Sequence, residues 1–382
     1  MKLVRRILLA SIFILALAAC GMSQSEYLAL PPIVEGTIDF AEADNFSDFI
    51  TEYALLAPGI IAMEAQDGVV WAREFLTGNL MKSTDHGETW HFVYAFEKPI
   101  NAIYADGHGN LFVTVTQDRW AAEGTGEVFK SSDGGETFRK VLDIVAGVPV
   151  WWNIASQDGI MFMSEYGFKW LDDNARRIYR SLDFGETWEI IYEPPPTLDY
   201  HNHKILITED GVVYQSIGDG QNAKIIRSFD WGYNWETAVY GFQPTSAVAF
   251  DSHILWGLDG GPWSGVARYD RQTGEMSEAF VAPEGFSGGP VYDMILAHGV
   301  AYAIILSYEG HDNYASIFYS KDEGVTWHLM GYIESAPEHG IGLNALVADE
   351  KFGYIDFGSP IHRDGAVERF RGTLRFELLN IN

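Results

Sequence analysis

The sequence predicts an all-β fold, a β-propeller of seven four-stranded blades. Three observations carry that prediction: an octet that recurs at an even stride, seven hairpin signals spread along the chain, and a composition rich in turn formers and aromatics. The octets read S-T-D-H-G-E-T-W at 83–90, S-S-D-G-G-E-T-F at 131–138, S-L-D-F-G-E-T-W at 181–188, S-F-D-W-G-Y-N-W at 228–235 and S-K-D-E-G-V-T-W at 320–327. Asp85, Asp133, Asp183 and Asp230 follow one another at 48, 50 and 47 residues, and Asp322 comes 92 later, two strides on. Tyr269-Asp270-Arg271-Gln272-Thr273-Gly274 fills the vacant slot as a degenerate copy. A period of about 40–50 residues with several short strands per repeat is the signature of a propeller.

The first element of each repeat is a hairpin. Gln66-Asp67-Gly68, Asp106-Gly107, Gln157-Asp158-Gly159, Glu209-Asp210-Gly211, Asp251-Ser252, His298-Gly299 and Asp349-Glu350-Lys351 supply seven such turns, hence seven blades. Six or eight blades follow if a terminal segment is read differently. In the repeat that contains Asp183 the strands fall at Trp152–Gln157, Ile160–Glu165, Arg177–Ser181 and Thr187–Tyr192. The last repeat starts near Gly342 and has no octet; residues 35–54 are expected to donate its outer strand and close the ring, which protects sheet edges without disulfides.

Within the octet each residue type has a reason. A tight hairpin needs a position with positive φ, which Gly supplies at no steric cost. The Asp carboxylate accepts turn N–H groups that the ladder leaves over, and the closing aromatic packs between sheets. Asp85, Asp133, Asp183, Asp230 and Asp322 are therefore read as hairpin clips. The pattern Ser-x-Asp-x-Gly-x-(Thr/Asn)-aromatic resembles the Asp box, or BNR repeat, of sialidases, sortilin-type receptors, polysaccharide-degrading enzymes and photosystem assembly factors. The sialidases of that superfamily carry an arginine triad and an early R-I-P motif. This chain has no R-I-P, and the first arginine after the leader is Arg73. The resemblance therefore implies a fold and not that activity.

The N-terminus is read separately. Lys2, Arg5 and Arg6 precede an apolar run from Ile7 to Leu17, too short for a span of about 20 residues, and small residues lead to Cys20. L-A-A-C at 17–20 resembles the lipobox of bacterial lipoproteins, which implies removal of residues 1–19 and acylation of Cys20. Residues 20–34 read as a tether and 35–382 as a single propeller domain. Gly21, in place of Asp, points by the same resemblance to the outer membrane. Cys20 is the single cysteine, so the core is expected to hold without disulfides. The net charge of −28, which becomes −31 when the three leader cations are removed, repels nucleic acid and anionic headgroups. The expected partners are a membrane, through the lipid, and a glycan or protein ligand, with the propeller as a monomer.

In a propeller, ligands are expected on the face opposite the octets. The loops assigned there gather Trp120, Trp152, Tyr166, Trp170, Trp263 and Tyr308 as sugar-binding platforms. His201 and His203, at i and i+2 on a strand, project to one side and could share a divalent metal with His339. His203 or Tyr200 is the candidate base and Arg119 the candidate carboxylate neutraliser for a lyase, while a hydrolase would need two flanking carboxylates. The alternative is a non-catalytic propeller acting as a protein-interaction or assembly scaffold.

Overall fold

The structure, a computed structural model, describes residues 38–39, 53–56, 59–75, 77–116, 126–144, 153–166, 177–193, 201–218, 223–260, 263–282, 288–309, 312–335, 342–358 and 371–379. Seven antiparallel sheets form a seven-bladed propeller. Blade 1 runs through four consecutive strands, β3 (Ile60–Gln66), β4 (Val69–Glu74), β5 (Leu80–Ser83) and β6 (His91–Tyr94). Blade 2 comprises β7 (Ile100–Ala105), β8 (Leu111–Thr116), β9 (Gly126–Ser131) and β10 (Arg139–Ile144). Blade 3 comprises β11 (Ile154–Gln157), β12 (Ile160–Ser164), β13 (Ile178–Ser181) and β14 (Glu189–Tyr192), close to the spans the repeat predicts. Blade 4 is β15 (His201–Ile207), β16 (Val213–Gly218), β17 (Lys224–Ser228) and β18 (Glu236–Tyr240). Blade 5 is β19 (Gln243–Ala249), β20 (His253–Gly260), β21 (Val266–Asp270) and β22 (Met276–Glu278).

Blade 6 has β23 (Val291–Ala297), β24 (Val300–Glu309), β25 (Asp312–Ser320) and β26 (His328–Ser335), with a short fifth strand, β1 (Ile38–Asp39), on its outer edge. Blade 7 has β27 (Gly342–Ala348), β28 (Phe352–Gly358) and β29 (Arg371–Glu377), and its outer strand is β2 (Tyr53–Leu56). The expectation that residues 35–54 supply the outer strand holds only at the end of that segment, since the strand runs from Tyr53 to Leu56, two residues beyond it. The earlier part of 35–54 divides, because Ile38–Asp39 pairs with Ile333 and Tyr332 of the neighbouring blade instead.

All seven predicted first hairpins are present, and three of them, Asp67-Gly68, Asp158-Gly159 and His298-Gly299, place both residues at positive φ, as a two-residue turn matching strand twist requires. The five Asp boxes close the third-to-fourth-strand turns. In each, the Asp accepts from the Ser hydroxyl and from the backbone amide and side chain of the residue four on; for Asp183 the distances are 2.7 Å to Ser181, 2.9 Å to Thr187 N and 2.6 Å to Thr187 Oγ1. Such donors, those of Thr137 first, lower Asp133 to a pKa of about 2. In blade 5, Tyr269 aligns with the residue before the box Ser, so Asp270 occupies the Ser slot and clips its own turn through Gln272 N and Thr273 N.

The register also exposes a rule for how blades are joined. The residue before the box Ser lies opposite a large side chain on the second strand, Trp71 with Lys82, Phe112 with Lys130, Phe162 with Arg180 and Tyr214 with Arg227, and in blade 7, which has no octet, Tyr354 and Arg375 stand at the matching register. The cation reaches the next blade's box. Lys82 donates to the Gly134 carbonyl, Lys130 to that of Phe184, Arg180 to that of Trp231 and Arg375 to that of His86. The box Gly closes the same seam from the other side. Gly185 lies so near the Phe112 ring that a Cβ there would sit 2.4 Å from it, and Gly135 approaches Trp71 in the same way. The hydrophobic clusters follow this geometry, each drawn from facing surfaces of neighbouring sheets.

Candidate functional site

In each blade the first and third turns, including every Asp box, lie at one end of the strands. The links between blades and between second and third strands lie at the other end, the face on which a ligand is expected. The inner strands β3, β7, β15, β19, β23 and β27 each carry an irregularity in register along their length. Bulges of this kind re-aim side chains.

At the ligand-face end of blades 3 to 5 the structure assembles a ring cluster. The Tyr166 ring lies 4.6 Å from that of His201 and 6.2 Å from that of His203, nearly parallel to the latter, and the two imidazoles are 4.5 Å apart. The sequence-based expectation that His201 and His203 share one side is thus borne out in geometry. His203 is 2 % exposed, and its Nδ1 donates to the Pro244 carbonyl at 3.0 Å. A carbonyl can only accept, so in the neutral ring Nε2 carries the lone pair. Asn153 Nδ2 donates to the His203 carbonyl and to Ser164 Oγ, tying this strand to blade 3.

The cluster continues onto blade 5. A Cβ at Gly218 would lie 2.6 Å from His203 Cε1 and 3.1 Å from Gln243 Cγ, which puts the glycine backbone in contact with both side chains. Gln243 Nε2 donates to the exposed Asp259 carboxylate at 3.1 Å. Tyr166 and His201 are half-buried and Asp259 is exposed, so the assembly offers a phenol, an imidazole, an amide and a carboxylate to solvent. Gln243 and Asp259 were not singled out from the sequence. Asp259 opens a Gly-rich loop, and only the side-by-side placement of inner strands brings it to His203.

Glu165, beside Tyr166, has a different fate. It is fully buried and accepts from Tyr179 OH at 2.6 Å and from Arg177 N at 3.0 Å, with the Arg177 guanidinium 3.8 Å away. Burial raises its pKa to about 7 against the opposing effect of these donors. It pins the second and third strands together and is sequestered from ligand. Trp263 is also not a free platform: it packs at 5.3 Å on Phe242 within the blade 4–5 cluster. Tyr308 lies on β24 opposite Asn313, near the tip of a hairpin that extends beyond the neighbouring blades on the ligand face. Trp120, Trp152, Trp170, Tyr200, Arg119, His339 and Cys20 lie outside the described residues.

The channel interior holds a second set of ionisable groups. Glu64 accepts from Ala105 N of blade 2, Asp293 accepts from Leu346 N of blade 7, and Lys204 projects from blade 4 as the cation that both feel. Burial raises Glu64 to about 7 and Asp293 to about 6 and lowers Lys204. Each carboxylate thus bridges two adjacent inner strands.

The BNR/Asp-box repeat family matches residues 318–329, the fifth box. No curated protein matches the chain. Among solved structures, YCF48 bound to D1 peptide superposes with a TM-score of 0.56 at 15 % identity, covering 89 % of this chain and 99 % of that one. The GH74 enzyme of Niastella koreensis gives 0.55 at 14 %, covering 81 % of this chain and 60 % of that one. U3-55K gives 0.57 at 9 %, with 86 % and 99 % covered. At these identities the likeness is one of fold, a seven-bladed β-propeller, with the repeat family matched at its fifth box.

Proposed function

We propose that the protein is an exported lipoprotein of the cell envelope, held at the outer membrane by acyl chains on Cys20, whose propeller binds a neutral glycan over the channel mouth. The observation that carries this reading is the Tyr166–His201–His203 ring cluster continuing into Gln243 and Asp259. Aromatic faces pack against the C–H faces of sugars, and amide and carboxylate groups bond the hydroxyls. The net charge of −28 favours an uncharged ligand over a polyanion.

Binding is favoured over hydrolysis by the same residues. Hydrolysis calls for two carboxyl groups flanking the scissile bond, about 5–9.5 Å apart. Among the described residues the cluster exposes Asp259, while the adjacent Glu165 is locked to Tyr179 and Arg177. The test is a glycan array probed with the full chain and with Tyr166→Ala and Asp259→Asn. Neutral glycans retained by the parent and lost by both variants support the reading; a parent that binds nothing on the array refutes it.

A second reading, a scaffold for a protein ligand, is favoured by the structure of YCF48 bound to D1 peptide, which this fold matches over 99 % of that chain. Affinity capture of a discrete polypeptide that competes with no sugar, and that Tyr166→Ala releases, would select it.

A further inference from the structure

The seam between blade 7 and blade 1 differs chemically from the other seams, and it holds a cluster that neither fold nor glycan binding explains. In blades 3 and 6 the residue between the box Asp and Gly meets the preceding blade at or beside its first hairpin. In blade 3 this is Phe184, whose ring lies 5.4 Å from His108, and in blade 6 it is Glu323, whose carbonyl accepts from His253. In blade 1 the residue is His86, held at φ 56, and it faces Asp349 and Glu350 of the hairpin that joins β27 to β28.

The hydrogen bonds fix the imidazole's state. Asp349 Oδ1 accepts from Lys351 N at 2.8 Å and Phe352 N at 2.7 Å, and Oδ2 accepts from Tyr354 OH at 2.6 Å. With three other donors aimed at it, this carboxylate acts as an acceptor toward His86 Nδ1 at 2.8 Å, so in the neutral ring Nδ1 carries the proton and Nε2 the lone pair. Nε2 lies 3.9 Å from Glu350 Oε1, too far for a hydrogen bond and within the span of two metal–ligand bonds of about 2.1 Å. A carboxylate oriented against one ring nitrogen while the other coordinates is the usual outer-shell arrangement of a metal-bound histidine. The three ligand atoms lie within 4.8 Å of one another. The neighbouring cations are engaged elsewhere: Arg375 with the His86 carbonyl and Glu88, Lys351 over the Phe352 ring.

We propose that His86 Nε2 and Glu350 bind a divalent, imidazole-preferring metal ion such as Zn2+ across the ring seam, with Asp349 orienting His86 and water completing the shell. The ion would join the first complete blade to the last, at the seam that closes the ring.

The test uses the full chain with ZnCl2 alone, followed by calorimetric titration and thermal unfolding. His86→Phe carries the residue that blade 3 tolerates at the same position, and Glu350→Gln keeps the hairpin. A single Zn2+ bound per chain is expected, with Tm raised by about 2–4 °C at saturation, no such rise with MgCl2, and loss of both effects in either variant. The rise should persist in the His201→Ala, His203→Ala double variant, which separates this site from the ligand-face imidazoles. Absence of Zn2+ binding in the parent, or a rise that survives both seam substitutions, overturns the proposal.

Discussion

Gly185 and Gly241 have the same backbone conformation and different surroundings, which makes them a matched pair for testing how the blades are held together. Their φ values are 75° and 81°. Replacing either by Ala strains the left-handed backbone by about 1–2 kcal/mol. At Gly241 nothing lies within 4 Å of the new Cβ, so that strain is the whole effect. At Gly185 the Cβ meets the Phe112 ring and, at 3.1 Å, the Met161 sulfur, both fully buried. Relief requires displacing a ring in the cluster between blades 2 and 3, an overpacking cost of about 1–3 kcal/mol more. Urea unfolding followed by tryptophan fluorescence should therefore show a midpoint for Gly185→Ala well below that of Gly241→Ala, at similar m. Equal midpoints would refute the claim that the box glycine is required by seam packing as well as by turn geometry.

Three further outcomes are expected. Arg180→Met removes bonds to the Trp231 carbonyl and Glu189 and the stacking on Tyr233, and should cost about 2–3 kcal/mol in the same urea assay; a change below 0.5 kcal/mol, roughly that of an ordinary surface substitution, would deny the cation a role between blades. Glu64, Glu165 and Asp293 have folded pKa values raised above their unfolded ones, to about 7, 7 and 6, so the stability they contribute is complete below about pH 4 and is lost as pH rises through 6–7. Tm should accordingly fall between pH 5.5 and 8, and Glu64→Gln should flatten that slope by at most about 3 kcal/mol at pH 8, the worth of its shift; an unchanged slope would show that the channel carboxylate does not titrate there. The box carboxylates work in the opposite direction: Asp133, lowered to about 2, gives stability that is present above about pH 4 and lost below it. Asp133→Asn should weaken the acid-side decline in Tm while leaving the profile above pH 5 unaltered.

The parts of this molecule that repeat were legible in the sequence, because a repeat reports local chemistry several times over. The octet fixes the turn between third and fourth strands wherever Ser, Asp and Gly recur, and Asp85 to Asp322 occupy the positions expected of them. The cations at 82, 130, 180 and 227 each precede a box Ser in the sequence, but their role between blades does not show there. Their partners are carbonyls and side chains about 50 residues away, and nothing local announces such a bond. Arg375 was overlooked altogether, since its blade has no box to align it with. The site was legible only where two of its members share a strand. His201 and His203 meet by alternation, whereas Gln243 and Asp259 join them through the placement of blade 5 against blade 4. The packing of Trp263 on Phe242 was likewise not legible, because the two meet only when the loop is folded onto blade 5.

The pairing of Tyr53–Leu56 with β29 has a consequence for how the molecule is made. A ribosome delivers that strand about 300 residues before its partner, so it stays without a mate over that whole stretch of synthesis. A nascent chain stalled or trimmed before Arg371 would keep an open sheet edge at each end of an unfinished circle, and such edges recruit other chains. Removing β29 should thus be felt at Tyr53–Leu56, as precipitation rather than as a gentle loss of stability.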